Sequence, residues 1–292
     1  METRTVLVHL METREVEDIV HKHLAAFARG DFDAWGDSFA PNVFFTAADP
    51  EEVFLEREAA VAEMHRDFDP ALDEGLQIQV EPLSFHAGVS YDDNAAWSAA
   101  PLEYGINFQG ETSSFVLRHT SVLTKTRHGW TIRATQYSLA LPEEKVLQAL
   151  TRGILPAPHP VGYAIGAGAQ ALEGSFKHQL ADFSMSAISR DAHVFGPFPG
   201  EDAEGETAVR AQFAKWTSRW GVLRLRPDGV RAEFISETMG WVCANVDAIL
   251  SYTDQRVALP LRVLVVYQKE GYDWAIVHAH LSVGIPDELA EN

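Results

Sequence analysis

One nine-residue run is written twice in this chain, as Trp130–Ser138 and as Trp274–Ser282, and a proline closes each copy, Pro142 and Pro286. Trp130 and Trp274, Ile132 and Ile276, Ser138 and Ser282, and Pro142 and Pro286 are all 144 positions apart. The same spacing carries Trp97 onto Trp241, Ala100 onto Ala244, Glu103 onto Asp247, Arg118 onto Arg262 and Lys125 onto Lys269. A period this long is that of a domain and not of a solenoid unit. With 292 residues, 46% of them hydrophobic, the chain can fill two cores of about 140 residues each. The implied division is a first domain at 11–142, a linker at 143–160 stiffened by Pro156, Pro158 and Pro160, and a second domain at 161–292.

In the first copy, Val16, Ile19, Val20, Leu24 and Phe27 recur at helical spacing from Glu12 onward, and Phe32, Trp35 and Phe39 continue it up to Pro41. Val43–Phe45 reads as a short buried strand. Asp49-Pro50-Glu51-Glu52 reads as the start of a third helix running through Val61, Met64 and Phe68. Beyond Gly75, short runs rich in Val, Ile, Phe, Trp and Thr alternate with turns such as Asp92-Asp93-Asn94 and His128-Gly129, the pattern of an antiparallel sheet. The second copy repeats the plan. Val194-Phe195 is matched to Phe44-Phe45, Glu206–Val209 to Glu58–Val61, and Phe213, Trp216 and Trp220 form a helical stripe. The expected class is α+β, with helices packed on one side of a curved, mostly antiparallel sheet in each domain. Met1–Leu10 precede a second Met-Glu-Thr-Arg and read either as an appended strand or as an upstream start.

Charge narrows the partners. A net charge of −19 disfavours nucleic acid and anionic membranes, which need clustered Lys and Arg. The lone cysteine, Cys243, cannot form an internal disulfide, and Thr5–Leu10 is too short for a signal peptide or a span, so a soluble cytoplasmic protein is expected. Gly162, Gly166 and Gly168 follow a proline-rich stretch and not a strand, so the context of a dinucleotide loop is missing and no cofactor is implied.

Two helices, a Phe-rich strand, a third helix and a sheet ending in Trp-x-Ile-x-x-x-x-x-Ser-x-x-x-Pro resemble the SnoaL-like branch of the nuclear transport factor 2 superfamily, in two tandem copies. The order Val277-His278-x-His280-x-Ser282 is also similar to the last strand of the calcium/calmodulin-dependent protein kinase association domain. The resemblance implies cone-shaped domains, each with one internal pocket, in a superfamily that holds cofactor-free polyketide cyclases, ketosteroid isomerases and dehydratases beside binding and oligomerisation domains. It also implies pairing through the sheets, so that the chain is an intramolecular pseudo-dimer, with a further homodimer open.

Strand alternation places Trp274, Ile276, His278, His280 and Ser282 on one face, a face suited to a pocket wall. His278 and His280 are then candidates for general acid/base chemistry, since imidazole titrates near neutrality; the alternative is a structural hydrogen-bonding role. Asp247, with Glu103 as its counterpart, is a third candidate if its face is buried, and a solvated surface acid if it is not. Arg262 and Arg118 would anchor a carboxylate or enolate oxygen, or else pair with an acid on the next strand. Ser282, Trp241, Trp274, Phe195, Phe213 and Trp216 complete the expected ligand wall, with Gln136, Ser138, Trp97 and Trp130 as first-domain counterparts. A His-x-His pair is half a zinc site, but neither Asp247 nor Glu237 stands at a spacing that marks a third ligand, and no metal is expected. Because Ala134 and Gln136 stand where His278 and His280 stand in the second copy, the functional pocket is expected in the second domain. Three functional classes stay open: a cofactor-free proton-transfer enzyme on a small apolar carbonyl or polycyclic substrate, a ligand-binding module, and an oligomerisation module.

Overall fold

The apolar stripe Val16, Val20 and Leu24 lies buried along one side of a long first helix, α1 (Glu2–Ala28). α2 (Phe32–Gly36) follows at once, its first turn capped by Asp31, whose carboxylate accepts from the Ala34 amide at 3.1 Å. After β1 (Phe39–Thr46), β2 (Val53–Phe54) and α3 (Arg57–Asp73) come the sheet strands β3 (Gln77–Pro82), β4 (His86–Val89), β5 (Ala95–Phe108), β6 (Glu111–Thr126) and β7 (Gly129–Leu139). The sheet runs β2-β1-β7-β6-β5-β3, with β4 also paired to β5. All its pairings through β5 are antiparallel, and β1 joins β7 in parallel.

The second set of elements is α4 (Glu143–Thr151), β8 (Ala164–Ile165), α5 (Gln170–Asp182), β9 (Ile188–Phe195), β10 (Asp202–Glu204), α6 (Glu206–Trp220), β11 (Val222–Phe234), β12 (Met239–Tyr252), β13 (Gln255–Glu270), β14 (Asp273–Ser282) and α7 (Asp287–Ala290). Its sheet runs β10-β9-β14-β13-β12-β11-β8, and again a single early strand, β9, lies parallel to the last long one, β14. This computed structural model describes residues 2–182, 187–220, 222–252 and 255–290. The fold is α+β, twice over. The chain divides into one unit containing the residues up to Thr46 and Phe54–Tyr137, and another containing Ala47–Val53 and the residues from Ser138 on. No helix among the described residues is long and apolar enough to cross a membrane.

Several local expectations are corrected. Phe39 and Pro41 belong to β1 and not to a helix. The third helix begins at Arg57, after Glu56, and not at Asp49. Asp49 accepts from the Glu51 amide at 2.7 Å in a tight turn. The carbonyls of Ala48 and Pro50, which a helix would have used internally, accept from the amides of Ile285 (3.0 Å) and His159 (2.7 Å). Glu143–Thr151 forms α4, the turn or two of helix that this stretch admits, and its Val146, Leu147 and Ala149 join the apolar core of the second unit. Beyond Gly162 the chain leads into β8, which pairs with β11 at Arg231 and Ala232. A Cβ on Gly229 would lie 2.6 Å from the Gly162 carbonyl oxygen, so that approach of two backbones requires glycine.

The last strand carries the irregularity on which the site turns. In β14, Ile276 faces Tyr267 of β13 while His278 faces Val266, so Val277 is an extra residue in the ladder. A bulge of this kind reverses the alternation beyond it. Ile276, Ala279 and Leu281 therefore share one face with Val263, Val265 and Tyr267, and His278, His280 and Ser282 share the other with Arg262 and Leu264.

Candidate functional site

The helix-covered face of the first sheet carries polar side chains where a core would be expected. His23 of α1 is buried, with Ser38 Oγ at 2.7 Å from Nδ1 and the Tyr137 hydroxyl of β7 at 2.9 Å from Nε2. The protons can be assigned. Ser38 donates to the Trp35 carbonyl at 2.7 Å, so it can only accept from His23, which makes Nδ1 the protonated nitrogen and Nε2 the acceptor of the Tyr137 O–H. His119 of β6 is equally buried, its Nε2 at 2.9 Å from Ser121 Oγ and 3.2 Å from Thr135 Oγ1. The two imidazoles lie 6.1 Å apart between centroids, and Tyr137 sits 4.5 Å from His119.

Aromatic rings enclose this cluster. Trp35 stacks on His23 at 5.4 Å, Phe39 meets it edge-on at 5.0 Å, and Phe45 lies 5.9 Å from Tyr137. Burial decides the protonation. It pushes His23 down to about 3, holds His119 well below the usual imidazole range with a further contribution from His23, and drives the Tyr137 phenol upward. Both imidazoles are neutral and the phenol is protonated at neutral pH.

The corresponding face of the second sheet is apolar. At the 144-residue spacing His119, Ser121, Thr135 and Tyr137 become Val263, Val265, Ala279 and Leu281. All four line a cavity of ≈ 40 Å³, together with Phe176, Phe213 and Ile276. One water takes about 10–15 Å³ on this scale, so the space suits a few small groups and not a polycyclic ligand. The one buried polar pair bordering it is satisfied within the fold, the Tyr267 hydroxyl donating to Gln179 Oε1 at 2.8 Å.

The residues singled out in the sequence sit elsewhere. His278 and His280 are fully buried but on the face away from that cavity, a correction that follows from the bulge at Val277. His278 Nδ1 lies 3.2 Å from His193 Nδ1, and His193 Nε2 lies 2.8 Å from Asp202. His280 Nε2 meets Ser138 Oγ at 2.7 Å, and Phe195 packs edge-on against both rings at 5.9 and 5.5 Å. Phe195 pairs in register with His280 and Val194 with Ala279, whereas Phe45 pairs with Thr135; the true match is thus Phe45 with Val194, one residue from the expected alignment.

Ser282 and Trp241 are buried on the His280 face as well. Arg262 is buried and donates to the carbonyls of Ala47 (3.3 Å) and Pro50 (3.0 Å), neither an acid on the next strand nor a ligand anchor. Asp247 is half-buried and pairs with Arg226 at 3.3 Å, and Glu103 is exposed. Trp274 packs on Phe234 at 5.0 Å and Trp216 stacks on Trp220 at 5.2 Å, while Phe213 does border the cavity. In the first unit, Trp97, Arg118 and Gln136 are buried, and Trp130 donates to Glu15 at 3.2 Å. Among the described residues no three His, Cys, Asp or Glu side chains gather as a metal-holding group.

The family model for the SnoaL-like domain matches residues 16–142 and again residues 170–286. The chain belongs to the SnoaL-like family. No curated relative matches the sequence. Among solved structures, the chain is similar to a candidate dehydratase of the NTF2-like family from Streptomyces avermitilis (15% identity, TM-score 0.40, 45% of this chain and 97% of that one). It is likewise similar to a ketosteroid isomerase-like protein from Erwinia carotovora (15%, 0.37, 45% and 98%). A candidate calcium/calmodulin-dependent protein kinase II association domain from Xanthomonas campestris is a third (23%, 0.38, 44% and 88%). Each covers under half of this SnoaL-like chain.

Proposed function

We propose that this SnoaL-like protein binds a small carbonyl-bearing molecule at the buried polar cluster of its first unit and moves a proton on it without a cofactor. The observation that carries the reading is the contact of the Tyr137 hydroxyl with His23 Nε2 at 2.9 Å, a half-buried acid and a buried base side by side. A phenol kept protonated by burial donates to a carbonyl oxygen and stabilises the charge that develops there as a proton leaves the adjacent carbon. That proton passes to His23 Nε2, whose lone pair the turned hydroxyl has released. Negative charge forming on the substrate oxygen favours the imidazolium and lifts the low proton affinity that burial imposes. Ser38, accepting from Nδ1 while donating to the Trp35 carbonyl, holds the ring in the tautomer the step needs.

A binding-only reading is favoured by one fact, the depression of His23 to about 3, far from the pH at which a general base is most effective. Deuterium exchange at carbon next to the carbonyl, followed by proton NMR with small cyclic ketones in D2O, separates the two. Catalysed exchange that disappears in Tyr137→Phe and in His23→Gln supports proton transfer. Binding by thermal shift with no exchange leaves the binding module, and neither signal rejects the site.

A further inference from the structure

Apart from its small apolar cavity, the second unit carries a wide groove open to solvent. Glu143, Glu144 and Leu147 of α4, Arg219 and Trp220 at the end of α6, and Leu250 near the end of β12 line a space of ≈ 430 Å³, within the size range of small-molecule sites. Its walls are fixed. Val146, Leu147 and Ala149 anchor α4 in the core of the unit, and Trp220 is wholly buried and stacks on Trp216 at 5.2 Å. The Trp220 indole N–H nevertheless has no hydrogen-bond partner among the described residues. An indole nitrogen can only donate, and a buried donor left unmatched is costly enough that native folds leave few of them unless something else supplies the acceptor.

Charge decides what the groove takes. Arg219 is no anchor for an anion, because its guanidinium already pairs with Glu143 in the groove wall and has the buried Glu201 carboxylate 3.8 Å away. Glu144 is different. Among the described residues it pairs with no cation and accepts only from the Gln148 side-chain amide, at 3.3 Å on its own helix. The lining thus sets two carboxylates against one guanidinium, in a chain whose net charge is −19, so the groove attracts cations and repels anions. Leu147 and Leu250 add apolar surface beside that charge. We propose that this groove binds a small organic ammonium compound, with the cationic nitrogen beside Glu144, the apolar body on Leu147 and Leu250, and an oxygen that accepts from the Trp220 N–H. The site lies in the second unit and involves none of the groups assigned to proton transfer in the first.

Three probes of one shape test it by calorimetry on the full chain at low salt: tyramine, phenethylamine, which lacks the oxygen, and 3-(4-hydroxyphenyl)propionate, which reverses the charge. Tyramine should bind roughly 2- to 10-fold tighter than phenethylamine, as one hydrogen bond allows, and the propionate should bind more weakly than either. Glu144→Gln should weaken both amines by roughly 2- to 5-fold, the range of an exposed ion pair, and added salt should weaken them in the wild type. Trp220→Phe keeps an aromatic ring and removes the donor, so tyramine and phenethylamine should become equal. Glu144 is exposed, so Glu144→Gln decides the matter if Trp220→Phe does not fold. Amine affinities unchanged in Glu144→Gln, a propionate that binds as tightly as tyramine, a tyramine preference that survives in Trp220→Phe, or no binding by either amine each overturn the proposal. Proton exchange on cyclic ketones, the readout of the first unit, should be the same in Glu144→Gln as in the wild type, and a loss there would overturn the assignment of a separate site.

Discussion

Tyr137 and Leu281 stand at equivalent places in the last strand of the two copies, and only Tyr137 meets an imidazole, its hydroxyl 2.9 Å from His23 Nε2. Leu281 borders an apolar cavity instead. Replacing Tyr137 by Phe deletes the donor and leaves a buried nitrogen unmatched, which costs about 1–3 kcal/mol of stability. Equilibrium urea unfolding should show that loss. A change under about 0.5 kcal/mol would mean the contact is not formed in solution.

Acid should weaken the first unit before its carboxylates titrate. His23 and His119 both bind protons more weakly in the fold than in the unfolded chain, the former down to about 3 from an ordinary value of 6.5. The unfolded state therefore binds more protons below about pH 6.5, and stability must fall as pH falls through that region, by up to about 1.4 kcal/mol per pH unit for each imidazole. Melting temperatures between pH 7 and pH 5 should drop steadily, and the slope should shrink in His119→Phe. A flat profile would contradict the burial of neutral imidazoles.

Arg262 holds two carbonyls, so its removal should be felt in stability and not in ligand affinity. In Arg262→Met the Pro50 oxygen keeps its bond from the His159 amide, and the Ala47 oxygen loses the guanidinium. One stranded, half-buried carbonyl costs about 1 kcal/mol. Urea unfolding should register that loss, while any compound that binds the wild type should bind the variant within a factor of two or so on the same scale of error. A selective loss of binding would restore Arg262 as a ligand anchor.

The repeat was legible because side chains of both copies do similar packing: Trp97 and Trp241, Ile132 and Ile276 are buried in their own sheets. The orientation of the closing strand was not legible. Strict alternation sets His278 and His280 beside Ile276, and the single extra residue Val277 turns them to the opposite face, a shift that no side-chain pattern announces. The helix at Asp49 failed for a related reason, since the carbonyls there are claimed by groups distant in sequence, Ile285 and His159. The buried polar cluster of the first unit did leave a trace. His23 interrupts the apolar stripe of Val16, Val20 and Leu24, and the 144-residue spacing sets His119, Ser121, Thr135 and Tyr137 against Val263, Val265, Ala279 and Leu281. Comparing the copies for polar-to-apolar exchanges, and not only for identities, finds this cluster.

The second unit should accept a larger side chain at Ala279. This position borders the ≈ 40 Å³ cavity, and its counterpart in the first copy, Thr135, is a β-branched residue in the same strand, so the backbone there tolerates branching at Cβ. Ala279→Val adds two methyl groups into space already empty, beside Val265 and Leu281. Filling part of a cavity with apolar atoms stabilises by about 0.5–1.5 kcal/mol when no rotamer is forced. Urea unfolding should therefore shift to higher denaturant with an unchanged slope, and proton exchange or ligand affinity assigned to the first unit should not move. Destabilisation by more than about 1 kcal/mol would show that the space is not open in solution, and a loss of binding would place the ligand in the second unit.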